Sequence, residues 1–257
     1  MNLFDTQYDS SLLYDFMEKT YNSIKNIELK VSKKTTNKSA VIIEPRESKN
    51  LYLEYAIRNI MFFLGEEWNL YIFHGIQNAS FVKEKFEKTN AFLVDLETHD
   101  LHIDEYNNLL TSEKFWNQIE GENILIFQED SLLCRDGIEE FLEYDYVGAP
   151  WPIDKIHNNP DLSGGNGGLS LRRKSAILQS LRSYQRAPQI PEDIFFVNAL
   201  YRLKCNIAPR EVCKKFSIER IYHDNPLGMH APHKWMDESR IIPILDKINY
   251  DNLRGVR

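Results

Sequence analysis

Glycine is scarce in this sequence, at 11 of 257 residues, where average usage near 7% would supply about 18. Cysteine is scarcer still. Cys134, Cys205 and Cys213 are odd in number and none belongs to a CxxC pair, which argues against a disulfide scaffold and against structural zinc, and for a reducing compartment. Long apolar runs are missing too: the stretch Ile60–Leu64 near the middle of the chain is far too short to span a bilayer. The opening residues Met1-Asn-Leu-Phe-Asp5 carry acid where a signal peptide carries base, and no apolar segment follows. A cytoplasmic protein with no membrane span is therefore expected. An excess of basic charge is the last absence. With 31 Lys+Arg against 38 Asp+Glu the net charge is −7, which excludes a general nucleic-acid binder, since neutralising phosphates takes a basic surface. Any phosphate ligand has to be held by something other than net charge.

What is present is a globular composition, 42% hydrophobic and 12% aromatic, long enough to bury a large core in one domain or two small ones. Leu12, Leu13, Phe16, Tyr21 and Ile24 recur at helical spacing within the first 30 residues, and the polar stretch Ser32–Ser39 reads as a linker. The division expected is thus an N-terminal helical extension and linker over 1–39 and a main domain over 40–257. From residue 40 a rhythm sets in. Short apolar runs at Ala40–Ile43, Leu70–Phe73, Ala91–Val94 and Ile124–Phe127 alternate with helical patterns at Leu51–Leu64, Phe81–Phe86 and Tyr106–Ile119. Such alternation predicts an α/β domain, Rossmann-like, with a mostly parallel central sheet flanked by helices. Further on, Leu169–Leu171 follows a glycine loop, and Ala176–Leu181 and Ile194–Leu200 read as helices. Ligands in such sheets bind at the carboxyl ends of the strands.

Four segments offer chemistry. Phe127-Gln-Glu-Asp-Ser131 puts carboxylates directly after a buried strand, where hard oxygens suit a divalent cation; a helix cap by Asp130 or Ser131 is the alternative. Gly164-Gly-Asn-Gly-Gly168 gathers four of the eleven glycines into five positions. It is neither a Walker loop nor a GxGxxG fingerprint; it would let backbone approach a ligand, or be a flexible surface loop or a β-bulge. Pro191-Glu192-Asp193 sets two acids at a helix start, where one could act as general base or both could merely complement the macrodipole. Pro226–Trp235 holds His230, His233, Lys234 and Trp235, residue types that meet metals, phosphates and sugars, although two histidines alone make no zinc site.

Taken in order, these pieces resemble GT-A-type glycosyltransferases. Gln128-Glu-Asp-Ser131, Tyr144-Asp-Tyr-Val-Gly-Ala-Pro-Trp151, Gly165-Asn-Gly-Gly-Leu-Ser-Leu-Arg172 and Glu192-Asp-Ile-Phe-Phe196 are more closely similar to a family of putative glycosyltransferases catalogued mostly as a domain of unknown function, over about residues 40–240. The resemblance implies a GT-A-like fold and transfer of a sugar from a UDP- or GDP-sugar donor to a hydroxyl of a glycan or protein acceptor, with inversion. It also implies a divalent metal, Mn²⁺ or Mg²⁺, with Asp130 at the last acid of the DxD motif and His230 or His233 completing the shell. Gln128 departs from that motif by replacing its first acid. Asp193 would be the base, with Glu192 as neighbour or substitute. Glu44, Pro45 and Arg46 would line the nucleoside pocket and Asn166, Gly167 and Gly168 the sugar pocket, with Gln128, Glu129, Arg172, Lys234 and Trp235 completing the donor site. Two other readings stay open: a non-catalytic sugar- or nucleotide-binding module on the same fold, and a nucleotidyltransferase, whose basic glycine-rich loop after the first strand is replaced here by Glu44-Pro-Arg-Glu-Ser48. The N-terminal helix could support a homo-oligomer, pack on the domain or tether it to a partner.

Overall fold

The computed structural model describes residues 11–32, 36–46, 50–152, 164–248 and 250. Its centre is a six-stranded sheet. β1 (Lys38–Glu44) pairs in parallel with β2 (Asn69–His74) on one side and with β4 (Asn123–Phe127) on the other, with Ile42 opposite Ile72 and Phe127. β3 (Phe92–Asp95) extends the parallel run beyond β2. On the far side β7 (Leu169–Arg173) pairs antiparallel with β4, and β6 (Tyr146–Gly148) closes that edge. The order is β3-β2-β1-β4-β7-β6. This is the mixed α/β, mostly parallel sheet expected from the alternation of apolar runs.

The sheet is covered on both faces, as its continuous apolar strands require. Alternate residues of β1 go to opposite sides: Ala40 and Ile42 join one core, Val41 and Ile43 the other. The first core is roofed by α1 (Leu12–Ile24) and α2 (Asn50–Leu64), with α3 (Ala79–Phe86) beside them. The second lies under α4 (Ile103–Leu110), α5 (Glu113–Asn117), α6 (Lys174–Ser183) and α7 (Glu192–Arg202). Of the three roles open to the N-terminal helix, packing on the domain is the one displayed: Leu13, Met17 and Ile24 are fully buried and α1 lies against α2.

Two features depart from the sequence reading. The single helix expected over Tyr106–Ile119 is two. Thr111 returns its Oγ1 to the Asn107 carbonyl at 2.7 Å, and Ser112 adopts an extended backbone before α5 begins. Local side-chain bonding of this kind competes with helical continuation. The second is a small sheet not anticipated at all, in the order β5-β9-β8. It comprises β5 (Ser131–Leu133), β8 (Ser217–Ile218) and β9 (Gly228–His230), with α8 (Arg210–Phe216) before β8 and α9 (Glu238–Leu245) after β9. β5 pairs antiparallel with β9, Ser131 opposite His230.

The strand order reverses at β1. Connections from β1 run outward to β2 and β3, whereas β4 lies on its other side. A crevice forms where neighbouring strands lead their chains apart, at the carboxyl ends of β1 and β4. Glu44-Pro45-Arg46 and Gln128-Glu129-Asp130 stand at those two ends.

Candidate functional site

A cavity of about 380 Å³ opens at that crevice, within the size range of sites for small ligands. Glu44, Pro45 and Arg46 at the end of β1 and Gln128, Glu129 and Asp130 just after β4 line it, together with Tyr14, Lys234, Asp100, Leu101, Ile103 and Tyr106. Glu44 turns Arg46 into place: the carboxylate accepts from the Arg46 amide at 3.0 Å and from Nε and Nη2 at 2.8 and 2.6 Å. Arg46 remains half-exposed and its Nη2 lies 3.7 Å from Glu129. Among the described residues of the wall there are thus four carboxylates and two cations, so a negatively charged ligand meets net repulsion unless further positive charge comes with it.

Asp130 is the centre of the charged part. Lys234 Nζ donates to its Oδ2 at 2.8 Å and His230 Nε2 lies 3.4 Å from its Oδ1. Burial alone would push the Asp130 carboxyl up, but His230 and Lys234 together hold it well below the usual carboxylate range. His230 Nε2 also stands 3.0 Å from Gln128 Oε1, while Gln128 Nε2 donates to the Tyr106 hydroxyl at 3.3 Å. Gln128 therefore fills the first position of the expected metal motif as a hydrogen-bonding clamp. The juxtaposition of Asp130 and His230, a hundred residues apart, comes from the β5–β9 register; Ala231 N donates to the Asp130 carbonyl at 2.9 Å.

The metal set expected from the sequence does not assemble. Among the described residues no group of three or more His, Cys, Asp and Glu side chains is placed to hold a metal ion. His233 is 1% exposed, neither ring nitrogen has a partner among the described residues, and its ring packs edge-on to Tyr14 at 5.4 Å. Burial pushes its pKa down to about 4, so it stays a neutral packing residue at ordinary pH.

The glycine loop packs against this cluster. Gly168 lies under the His230 ring, where any added Cβ would collide with the imidazole; Ser131 Oγ donates to the Gly168 carbonyl at 3.0 Å. Gly165 has φ of +90°, which side chains rarely adopt, and a Cβ there would run into the Ala149 backbone. Gly167 N donates to Asp193 Oδ2 at 3.2 Å, and Gly168 N to Asn166 Oδ1 at 2.7 Å. The loop thus links Asp193 on one side to His230 and Asp130 on the other.

The acidic pair at the start of α7 divides sharply. Glu192 is buried and gives both oxygens to Arg172, at 2.7 and 2.9 Å. Arg172 is itself fully buried, with Nε on Ser170 Oγ at 2.9 Å and its guanidinium within 6 Å of the Tyr146, Phe196 and Trp116 ring centres. Arg172 is therefore corrected from a donor contact to a strut beneath the loop, and Glu192, its oxygens occupied, is not available as a substitute base. Asp193 accepts from two backbone amides and pairs with no cation among the described residues. Burial, then the adjacent Glu192 charge, push its carboxyl up to about 7, against the Ile194 and Gly167 amides that favour the ionised form. A carboxyl poised there can take a proton at neutral pH.

Of the other expected donor residues, Glu44, Pro45, Arg46, Gln128, Glu129 and Lys234 line the cavity. Asn166, Gly167, Gly168 and Asp193 are not among its lining residues; Gly168 is connected to it through the His230 ring, which stands against Asp130 of the wall. Trp235 does not face it: its ring is covered by Arg220, 3.5 Å from the centroid. Sequence reasoning missed Tyr14, Tyr106 and Glu219. Glu219 lies 3.9 Å from His230 Nδ1, and only the unforeseen small sheet places it there. Among the described residues no helix is long and apolar enough to cross a membrane.

Comparison with known proteins gives three findings. No curated protein matches the chain. Among solved structures, the apo-form glycosyltransferase GlyE of Streptococcus pneumoniae TIGR4 superposes with a TM-score of 0.51 at 9% identity, over 85% of this chain and 62% of that one. TarS 1-349 of S. aureus aligns at 13% identity, with a TM-score of 0.49 over 75% of this chain and 60% of its own; its complex with UDP-GlcNAc gives 15%, 0.47, 75% and 58%. The chain thus spans less than two thirds of the structures it matches. At 9% identity the likeness to GlyE is one of fold, and it is the fold expected. A family model described as "Protein of unknown function (DUF5672)" matches residues 92–230, more than half of the sequence, and the chain belongs to that family.

Proposed function

We propose that the protein is a glycosyltransferase that moves a sugar from a nucleotide-sugar donor to an acceptor hydroxyl with inversion. The observation that carries the reading is the cavity at the reversal of strand order, whose Asp130 is connected through His230 and the glycine loop to Asp193, a carboxyl poised near neutrality. Leu101 and Ile103 suit the flat face of a base, and Arg46 and Lys234 the diphosphate. Asp193 takes the proton of the acceptor hydroxyl as its oxygen attacks the anomeric carbon; the bond from that carbon to the phosphate oxygen breaks, and the nucleoside diphosphate leaves. Arg172 and Glu192 keep Asp193 and Gly167 in register without touching either substrate.

A divalent cation would meet two carboxylates on this wall. Asp130 and Glu129 offer hard oxygens, and the excess of acid over base leaves room for two positive charges; one or two carboxylates completed by ligand phosphates is a common way of holding Mg²⁺. Those two residues would hold it, and when bound it supplies countercharge to the departing diphosphate. A non-catalytic nucleotide-binding module is the second reading, favoured by Gln128 being committed to His230 and Tyr106 rather than to a metal. The test of donor binding is calorimetric titration with a panel of UDP- and GDP-sugars, in Mn²⁺ and in EDTA. Binding of at least one donor, tighter with Mn²⁺, is expected. Failure of every donor to bind would overturn the proposal.

A further inference from the structure

α1 lies outside residues 92–230, yet it contributes a wall of the cavity. Leu13 and Met17 are fully buried, and fixing them fixes the helix rotation that brings Tyr14 over Glu129, Asp130 and Lys234. The Tyr14 ring is held from two sides, 4.4 Å from the Tyr52 ring and 5.4 Å from that of His233. Its hydroxyl is different from those of its neighbours. Tyr52 donates to Glu18 at 2.7 Å, Tyr106 accepts from Gln128, and Tyr55 shares its hydroxyl with Thr20 and Tyr250. The Tyr14 hydroxyl bonds no described residue, and it stands in the cavity wall. Burial, with Asp130 and Glu129 nearby, raises its pKa far above neutrality, so it keeps its proton and can donate it in a hydrogen bond. A rigid aromatic stem carrying an unspent donor, beside the Lys234 ammonium, is suited to a phosphate oxygen.

Building on the donor-site reading above, we infer that the Tyr14 hydroxyl donates a hydrogen bond to the diphosphate of the nucleotide donor, which makes α1 part of the binding site. The experiment is calorimetric titration of the full chain with UDP and GDP in Mn²⁺, wild type against Tyr14→Phe, with the matching nucleosides uridine and guanosine as controls. The variant is expected to bind whichever diphosphate the wild type binds about 10-fold or more weakly, the loss typical of a hydrogen bond to a charged group. Its affinity for the nucleoside and its thermal midpoint should not change, because Phe keeps both ring contacts. Equal affinity of the two proteins for the diphosphate overturns the inference and leaves the donor-site reading standing. An equal loss on the nucleoside overturns it as well, since the effect then belongs to the shape of the wall. Absence of any diphosphate binding by the wild type sinks the donor-site reading, and the inference with it.

Discussion

Asp193 and Glu192 are adjacent, both acidic and both in the first turn of α7, yet Glu192 is clamped by Arg172 while Asp193 accepts from two backbone amides and pairs with no cation among the described residues. The one without a cation carries a cost. Asp193 has a folded pKa raised to about 7 from an ordinary 3.8, so the folded state binds its proton more tightly than the unfolded chain does. Its contribution to stability is therefore best below pH 4 and is lost as pH rises through 7. Asp193→Asn should be more stable than the wild type at pH 8 by on the order of 1–3 kcal/mol, with a higher thermal midpoint, once the one amide bond that its NH2 cannot accept is discounted, and the advantage should vanish near pH 4. Melting curves of both proteins across pH 4–9 check this; a variant less stable at pH 8 would contradict the burial argument. At this scale the sequence showed which residues were acidic and near a strand end or helix start. It could not show which acid was already spent, because that depends on Arg172, twenty positions away and wholly buried.

Among elements, the glycine loop and the small sheet act together. Gly168 lets β7 pass under the His230 ring, and the β5–β9 register keeps that ring beside Asp130. Gly168→Ala should displace His230, costing about 1–3 kcal/mol of stability as an overpacked site and weakening donor binding. A denaturation midpoint and a donor titration measure the two effects, and a variant unchanged in both would show that His230 is not held by this contact. The loop was legible because glycine is scarce elsewhere and dense there. Its partner was not: a strand of three residues, Gly228–His230, offers too little periodicity to be read. The split of α4 from α5 escaped for a related reason, since Thr111 and Ser112 are compatible with a helix until their side chains bond locally.

For the whole molecule, the alternation of apolar runs and helical patterns carried the architecture, because a parallel sheet buried on both faces leaves unmistakable short runs of Val, Ile, Leu and Phe. The strand order and its reversal at β1 were not written there; they follow from packing among segments distant in sequence. The place of α1 was likewise open. Leu13, Met17 and Ile24 are buried in the core that also holds Ala40 and Ile42 of β1, each worth about 1.5–3 kcal/mol, against a total stability of about 5–15 kcal/mol for an ordinary domain. Removal of residues 1–30 should abolish cooperative melting followed by circular dichroism, and a shortened chain that melts like the full one would show α1 to be dispensable.

Hydrolysis of UDP- and GDP-sugars at pH 8, in which water takes the place of the acceptor hydroxyl and free sugar and nucleoside diphosphate are released, addresses sugar transfer most directly when the wild type is compared with Asp193→Asn. The wild type should release the diphosphate from at least one donor, and the variant should bind that donor equally but release the diphosphate at least about 100-fold more slowly, as expected on losing a general base. Release by the variant at the wild-type rate, or none from any donor by a wild type that binds one, would contradict the account.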